Sequence, residues 1–164
     1  MDKKIEMSLF LNIADMDNAI ASTQEKPIIG VQALATCFGL LLYDEKQKLG
    51  IIAHFSTEIN GTFLQILNLI DFGKNNLFKY VIIPGYYSKI QDPYMTRFRI
   101  EKVLKSIQSD QLRFIPFDDI PSNAIVKSKT TPSYQFAFDT RIGKFVTDKV
   151  LFGIEYIDNV LKLK

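Results

Sequence analysis

The chain carries one cysteine, Cys37, and one histidine, His54. A thiol and an imidazole are the smallest pair of side chains that performs nucleophilic acyl chemistry. The imidazole takes the thiol proton, the sulfur attacks a carbonyl, and the imidazolium returns the proton to the leaving group. A free thiol titrates near about 8.5, and a neighbouring imidazolium lowers it towards neutrality. Taken singly, each residue has an ordinary structural role, since a cysteine between apolar residues packs as a small hydrophobe. The chemistry depends on whether the fold brings the two together.

Both flank one hairpin signal. Residues 38–43 and 49–55 are apolar runs around Asp44-Glu45-Lys46-Gln47. If those four residues form the loop, Tyr43 opposes Lys48 and paired positions sum to 91. Leu42 then faces Leu49, Leu40 faces Ile51 and Phe38 faces Ala53, one apolar face that pins the register. On the other face Leu41 meets Gly50, Gly39 meets Ile52, and Cys37 meets His54. Directly opposed residues hold their Cβ atoms about 4.5–5.5 Å apart. The two glycines leave room above that face for a substrate. A slip of one residue would send His54 to the opposite side.

The remaining elements read as a mixed α/β domain in which strands outnumber helices. Residues 5–13 and 28–34 are expected strands, with a polar loop over 18–27 that ends at Pro27. Phe63, Ile66, Leu67 and Ile70 recur at helical spacing, with Asn60 or Thr62 to cap the start and Gly73 to stop it. A strand is expected over 79–83. Asp92-Pro93 opens a second helix with the apolar stripe Phe98, Val103, Leu104 and Ile107. Residues 112–117 form another strand. Residues 134–138 and 144–147 flank Asp139-Thr140-Arg141-Ile142-Gly143 as a second hairpin, 118–133 is a long loop, and the tail over 150–163 reads as helix. The whole chain, 1–164, is read as a single domain and is expected to act as a monomer.

Composition narrows the function. With 13 Phe and 7 Tyr the chain can bury a sizeable core. A net charge of +2 gives no electrostatic case for nucleic acid. One cysteine forms no intramolecular disulfide, and one histidine builds no Cys/His metal cluster. Neither a phosphate loop nor an EF-hand spacing occurs, which leaves an all-carboxylate site as the open metal reading. No apolar run reaches the roughly 18 residues of a membrane helix. The lone thiol suits a reducing cytoplasmic setting, and a secreted effector without a classical signal peptide would look the same. Asp118-Asp119 reads as solvated loop charge. Arg97, Arg99, Lys102 and Lys105 read as a solvated helix face. Tyr86-Tyr87 is a candidate groove or rim.

Around the Cys/His pair the chain resembles a family. Leu34-Ala35-Thr36-Cys37, then Phe38-Gly39-Leu40-Leu41-Leu42-Tyr43-Asp44, then Gly50-Ile51-Ile52-Ala53-His54-Phe55 resembles the CheD chemoreceptor glutamine deamidases. Their signature is L-G-S-C, an apolar strand ending in Y-D, and G-G-M-x-H-F. The separation 54 − 37 = 17 agrees. Asn12-Ile13-Ala14-Asp15-Met16 is similar to the family's G-I-A-D-M. Val81 to Gly85 sits where the family has a strand ending in glycines, residues 99–107 resemble its R-N-I-x-x-V helix, and 138–145 resemble its closing F-D-x-x-T-G-x-V hairpin.

The resemblance spans about residues 8 to 149. It implies a CheD-like layered sandwich with a strand-rich mixed sheet core and packed helices. Cys37 would be the nucleophile and His54 the general base. The reaction would convert a protein glutamine to glutamate and ammonia through a thioester, with no metal or cofactor and with the Cys37 N–H holding the oxyanion. The family's histidine-orienting Thr is replaced here by Val31. Either the Val31 main-chain carbonyl, as in the distantly related cytotoxic-necrotising-factor-type deamidase toxins, or Gln32 would take that task. The signature reads A-T-C rather than G-S-C, and Ser56-Thr57-Glu58 replaces M-L-P after the histidine. The implied partners are a protein bearing the target glutamine and a regulatory protein, in chemotaxis or in a host. The alternatives are a non-catalytic docking module and a transamidase.

Overall fold

The computed structural model describes residues 10–91 and 95–147. In chain order the elements are β1 (Leu11–Ile13), β2 (Ala19–Ala21), β3 (Ile28–Leu34), β4 (Phe38–Asp44), β5 (Leu49–Phe55), α1 (Ile59–Leu69), β6 (Asn76–Pro84), α2 (Met95–Ile107), β7 (Leu112–Pro116), β8 (Val126–Lys127), β9 (Tyr134–Asp139) and β10 (Lys144–Phe145). A single helical turn, Ser88–Gln91, precedes α2. Two mixed sheets result. One runs β1-β3-β9-β10 with β8 also on β9, and the other runs β2-β5-β4-β6-β7. β1 joins β3 and β7 joins β6 in parallel, and the other pairings are antiparallel.

The alternation of β4 and β5 explains the layering. Phe38, Leu40, Leu42, Ile51, Ala53 and Phe55 pack with Ile59, Phe63 and Ile66 of α1 and Ile100 and Leu104 of α2. The opposite set, Leu41, Tyr43 and Ile52, packs with Ile29, Val31, Leu34, Phe136 and Phe138 of the other sheet. The β2-β5-β4-β6-β7 sheet is therefore walled by helices on one side and by the second sheet on the other. Every residue of β4 is buried. Fully burying each large apolar side chain contributes roughly 1.5–3 kcal/mol. A strand-rich α/β sandwich is thus what the apolar pattern builds.

The hairpin register differs from expectation by two residues. Asp44 stays in the ladder opposite Leu49, Gly39 opposes His54, and Phe38 opposes Phe55. The reason lies in the turn. The Asp44 carboxylate accepts hydrogen bonds from the Gln47 backbone N–H at 3.1 Å and the Gln47 side-chain amide at 3.2 Å. Lys48 adopts a left-handed φ of 51°. The loop is therefore residues 45–48, and a shift of two leaves each side chain on its expected face.

Smaller differences have local causes. Ala19–Ala21, expected as loop, pairs with β5 as a short edge strand. The Gln65 side chain caps it by accepting from the Ala19 N–H at 3.0 Å. α1 starts at Ile59 because the Glu58 carboxylate accepts from the Gly61 N–H, and it ends at Leu69, well before Gly73. β6 begins at Asn76, whose side-chain amide donates to the Asp71 and Lys74 carbonyls. The long loop contains β8. Asp92-Pro93, residues 5–9 and the tail over 150–163 lie outside the described residues. Among those described, no helix is long and apolar enough to cross a membrane.

Candidate functional site

Cys37 closes an irregular segment between β3 and β4. Ala33 takes a left-handed φ of 58°, and the segment then leans on residues 85–88. The Cys37 carbonyl accepts from the Gly85 N–H at 2.8 Å and from the Ser88 hydroxyl at 3.0 Å. The Tyr86 N–H donates to the Leu34 carbonyl and the Tyr87 N–H to the Ala35 carbonyl. The approach is close enough to need glycine. A Cβ on Gly85 would lie 2.5 Å from the Ala35 oxygen and 2.7 Å from the Cys37 oxygen. These contacts fix the peptide that carries the sulfur.

His54 lies on β5 opposite Gly39, so Cys37, two residues before Gly39, is its diagonal neighbour on the same face. Diagonal Cα atoms of an antiparallel pair are about 7–8 Å apart. The expected direct opposition is thus corrected to a diagonal one, by the same two-residue shift that moved the loop. No hydrogen bond joins the two side chains. The imidazole instead bonds to the Ala14 backbone carbonyl, and its Nε2 is buried with no partner among the described residues. That bond assigns the proton to Nδ1 and the lone pair to Nε2. The Cys37 sulfur touches the Met16 sulfur at 3.9 Å. Cys37 is 7% exposed, whereas Met16 is 58% exposed.

The loop that supplies Ala14 and Met16 joins β1 to β2 and is pinned at both ends. The Ala14 N–H donates to the Gly30 carbonyl at 3.0 Å, the Asp17 N–H to the His54 carbonyl at 2.7 Å, and the His54 N–H to the Asn18 carbonyl at 3.0 Å. Asp17 adopts a left-handed φ of 62°. Its carboxylate accepts from the Ser56 N–H at 2.9 Å and the Ser56 hydroxyl at 2.6 Å. The Gln65 amide donates to the Asp17 carbonyl at 2.9 Å.

Three expectations about the site change. The glycines of the hairpin leave no free space, because the second sheet fills it. A Cβ on Gly39 would meet the Phe136 ring at 2.8 Å, and one on Gly50 would meet Thr140 at 2.6 Å and Ile29 at 2.8 Å. The carbonyl that holds the imidazole is Ala14's rather than Val31's. Val31 is fully buried on β3 opposite Phe136, in the same apolar core as Cys37, with Gln32 half-buried beside it. The thiol is not lowered by an imidazolium. Burial pushes the Cys37 thiol above its ordinary value, Asp17's charge adds to this, and a Thr36 hydroxyl hydrogen bond opposes it. Burial pushes the His54 imidazole below its ordinary value, against the Ala14 hydrogen bond and the charges of Asp17 and Asp15. In this arrangement the pair rests as thiol and neutral imidazole.

The other flagged residues stay apart from the pair. Asp118 and Asp119 are exposed, and Arg97 pairs with Glu101 at 3.0 Å. Tyr86 packs edge-on to Tyr87 and against Tyr134, with the Lys127 ammonium 5.5 Å from its ring, and so forms a rim beside the segment that holds Cys37. A cavity of about 410 Å³, lined by residues including Asp44, Asn75 and Lys79, sits at the tip of the hairpin, the far end from Cys37. Among the described residues no three Cys, His, Asp or Glu side chains gather as a metal site. Sequence reasoning missed Ala14, Met16, Asp17, Gly85 and Ser88 as parts of the site. Ala14 and Met16 lay in the stretch that resembles G-I-A-D-M, which named them without a task, and Gly85 carried a signal as a glycine directly after Pro84 at a strand end.

No protein-family model matches the chain, and no curated protein matches it significantly.

Proposed function

We propose that this chain is a cysteine-dependent protein-glutamine deamidase of CheD-like type, with Cys37 as nucleophile and His54 as general base. One observation carries the reading. The chain's one thiol and one imidazole share a face of one hairpin, and the imidazole is oriented by the Ala14 carbonyl so that a buried Nε2 has no partner. A buried polar atom left unpaired costs about 1–3 kcal/mol. A lone pair kept free at that cost, on the hairpin face that also carries the thiol, suits a group that receives a proton during turnover. The order of CheD-like motifs along the chain supplies the substrate class.

In the proposed reaction the sulfur turns from Met16 towards Nε2 and gives up its proton as it attacks the amide carbon. His54 passes the proton to the leaving nitrogen, and ammonia departs from a thioester. A water, deprotonated by His54, then releases glutamate and restores the thiol. The Cys37 peptide is anchored through its carbonyl, and we assign its N–H to the oxyanion. Because thiol and imidazole rest uncharged, proton transfer and attack are coupled rather than sequential. The protein acts without a cofactor, in the cytoplasm on chemoreceptors or in a host on an effector target.

The buried, raised thiol favours a second reading, a docking module that keeps the fold and has lost turnover. Intact-mass measurement of candidate chemoreceptor and host proteins, incubated with the wild type and with Cys37→Ser, separates the two. The deamidase reading expects the mass gain of amide-to-acid conversion with the wild type alone. A mass gain that survives Cys37→Ser, or no gain on any candidate while the proteins bind, sinks it. Incorporation of an added amine would assign the same pair to transamidation.

A further inference from the structure

Met16 is pinned by its backbone and free in its side chain. Ala14 on one side is buried, Asp17 on the other is locked by Ser56 and Gln65, and the Met16 carbonyl accepts from the Asn18 amide. The Met16 side chain nevertheless lies largely in solvent, with its sulfur resting on the Cys37 sulfur. A mostly exposed apolar side chain gains little from burial, so something other than core packing accounts for its place over the thiol.

Its shape supplies the reason. Methionine and glutamine are both unbranched, and the third side-chain atom is Sδ in one and the amide carbon in the other. The amide carbon is the atom a thiolate must attack. In this structure the corresponding atom of Met16 sits at contact distance from the Cys37 sulfur, in a residue that is itself mostly exposed. The buried, unpartnered Nε2 of His54 belongs to the same face of the hairpin as Cys37, a second polar group on that face without a hydrogen-bond partner among the described residues. We propose that Met16 occupies the subsite of the substrate's glutamine side chain and closes the site until a protein substrate displaces it. This rests on the deamidase reading and deepens it. The subsite takes an unbranched primary-amide side chain presented from an exposed loop, as Met16 itself is presented. While closed, the thiol is shielded from electrophiles.

Two substitutions at this exposed position test the idea in the full chain, with thermal unfolding to verify the fold. Met16→Ala removes the cover, and alkylation of Cys37 by iodoacetamide is expected to speed up by about tenfold or more, equivalent to ~1.4 kcal/mol of closure. An unchanged rate overturns the proposal, whatever the enzyme does to substrates. Met16→Gln places an amide carbon against the sulfur. Attack forms the S–C bond, His54 carries the thiol proton to the departing ammonia, and water then cleaves the thioester to a carboxylic acid and restores the thiol. The peptide bearing position 16 is expected to gain the mass of deamidation, and to keep its amide in the double variant with Cys37→Ser. If Met16→Ala exposes the thiol but the new glutamine stays an amide, the mimicry is overturned. The same Met16→Ala preparation, assayed on the candidate chemoreceptor and host proteins, then tells the two readings apart: a deamidated candidate retains the deamidase, and no mass gain on any candidate that binds removes it as well.

Discussion

The His54 imidazole is held by the backbone carbonyl of Ala14 rather than by any side chain, and the nitrogen facing away from that bond is buried and unpaired. A carbonyl cannot be protonated or titrated in the working range, so the tautomer is fixed without a second ionisable group. His54→Ala is expected to lower deamidation by roughly 10²–10⁴-fold, the usual contribution of a positioned base. Turnover measured by ammonia release should fall while binding of the protein substrate persists. Retained turnover would remove His54 from the reaction.

Burial of a lone imidazole also makes stability depend on pH. The folded-state value of His54 lies below the ordinary 6.5. Below 6.5 the unfolded chain therefore binds more protons than the folded one, and stability falls as pH drops through that window until the folded pKa is passed. Chemical unfolding of the wild type and His54→Gln, compared at neutral and mildly acidic pH, should show the gap between them change in favour of the variant on acidification. A gap independent of pH would contradict the burial. At the alkaline end the sign reverses for Cys37. Its raised folded value means that the unfolded chain loses its proton first, so stability drops as pH rises past 9.0.

The Cys37 peptide depends on the clamp at residues 85–88. Gly85→Ala drives a Cβ into the Ala35 and Cys37 carbonyls, and should cost about 1–3 kcal/mol of stability, as overpacking does. Ser88→Ala removes one of two donors to the Cys37 carbonyl and should cost about 1 kcal/mol. Both should lower kcat more than they raise KM, because they misplace the sulfur without touching the substrate. Variants with a wild-type kcat would show that the clamp is structural only.

A control lies far from the thiol. The Tyr43 hydroxyl donates to the Thr140 carbonyl at 3.0 Å, tying the first hairpin to the second. Tyr43→Phe should lose about 1 kcal/mol in denaturant unfolding and leave kcat unchanged. A large loss of activity there would mean that the two hairpins transmit strain to the site.

The placement of Cys37 and His54 on one side of a hairpin was legible because the side-chain period of a strand is two, and the apolar set of β4 and β5 admits one parity. Their diagonal offset was not, because loops over 44–47 and 45–48 satisfy the same parity. The Asp44 side chain decides between them by bonding Gln47. The anchoring role of Ala14 was not legible, since any residue at position 14 presents a carbonyl and the resemblance over 12–16 named the stretch without its task. The glycines of the hairpin pointed to open space only while the second sheet was out of view. Phe136 and Thr140 come from strands and turns almost a hundred residues away, and local pattern does not carry that packing. Ala19–Ala21 went unseen because three residues, Ala-Ile-Ala, are too few to show a period, and pairing with β5 decides their state.

β4 is hydrogen-bonded on both edges and covered on both faces. Its amide protons should therefore be the slowest in the molecule to exchange with deuterium, opening only with global unfolding. Cys37 stands at the first residue outside that strand. The sulfur is thus fastened to the most persistent part of the fold while the chain just before it is expected to exchange faster, so the thiol keeps its address even as its surroundings breathe.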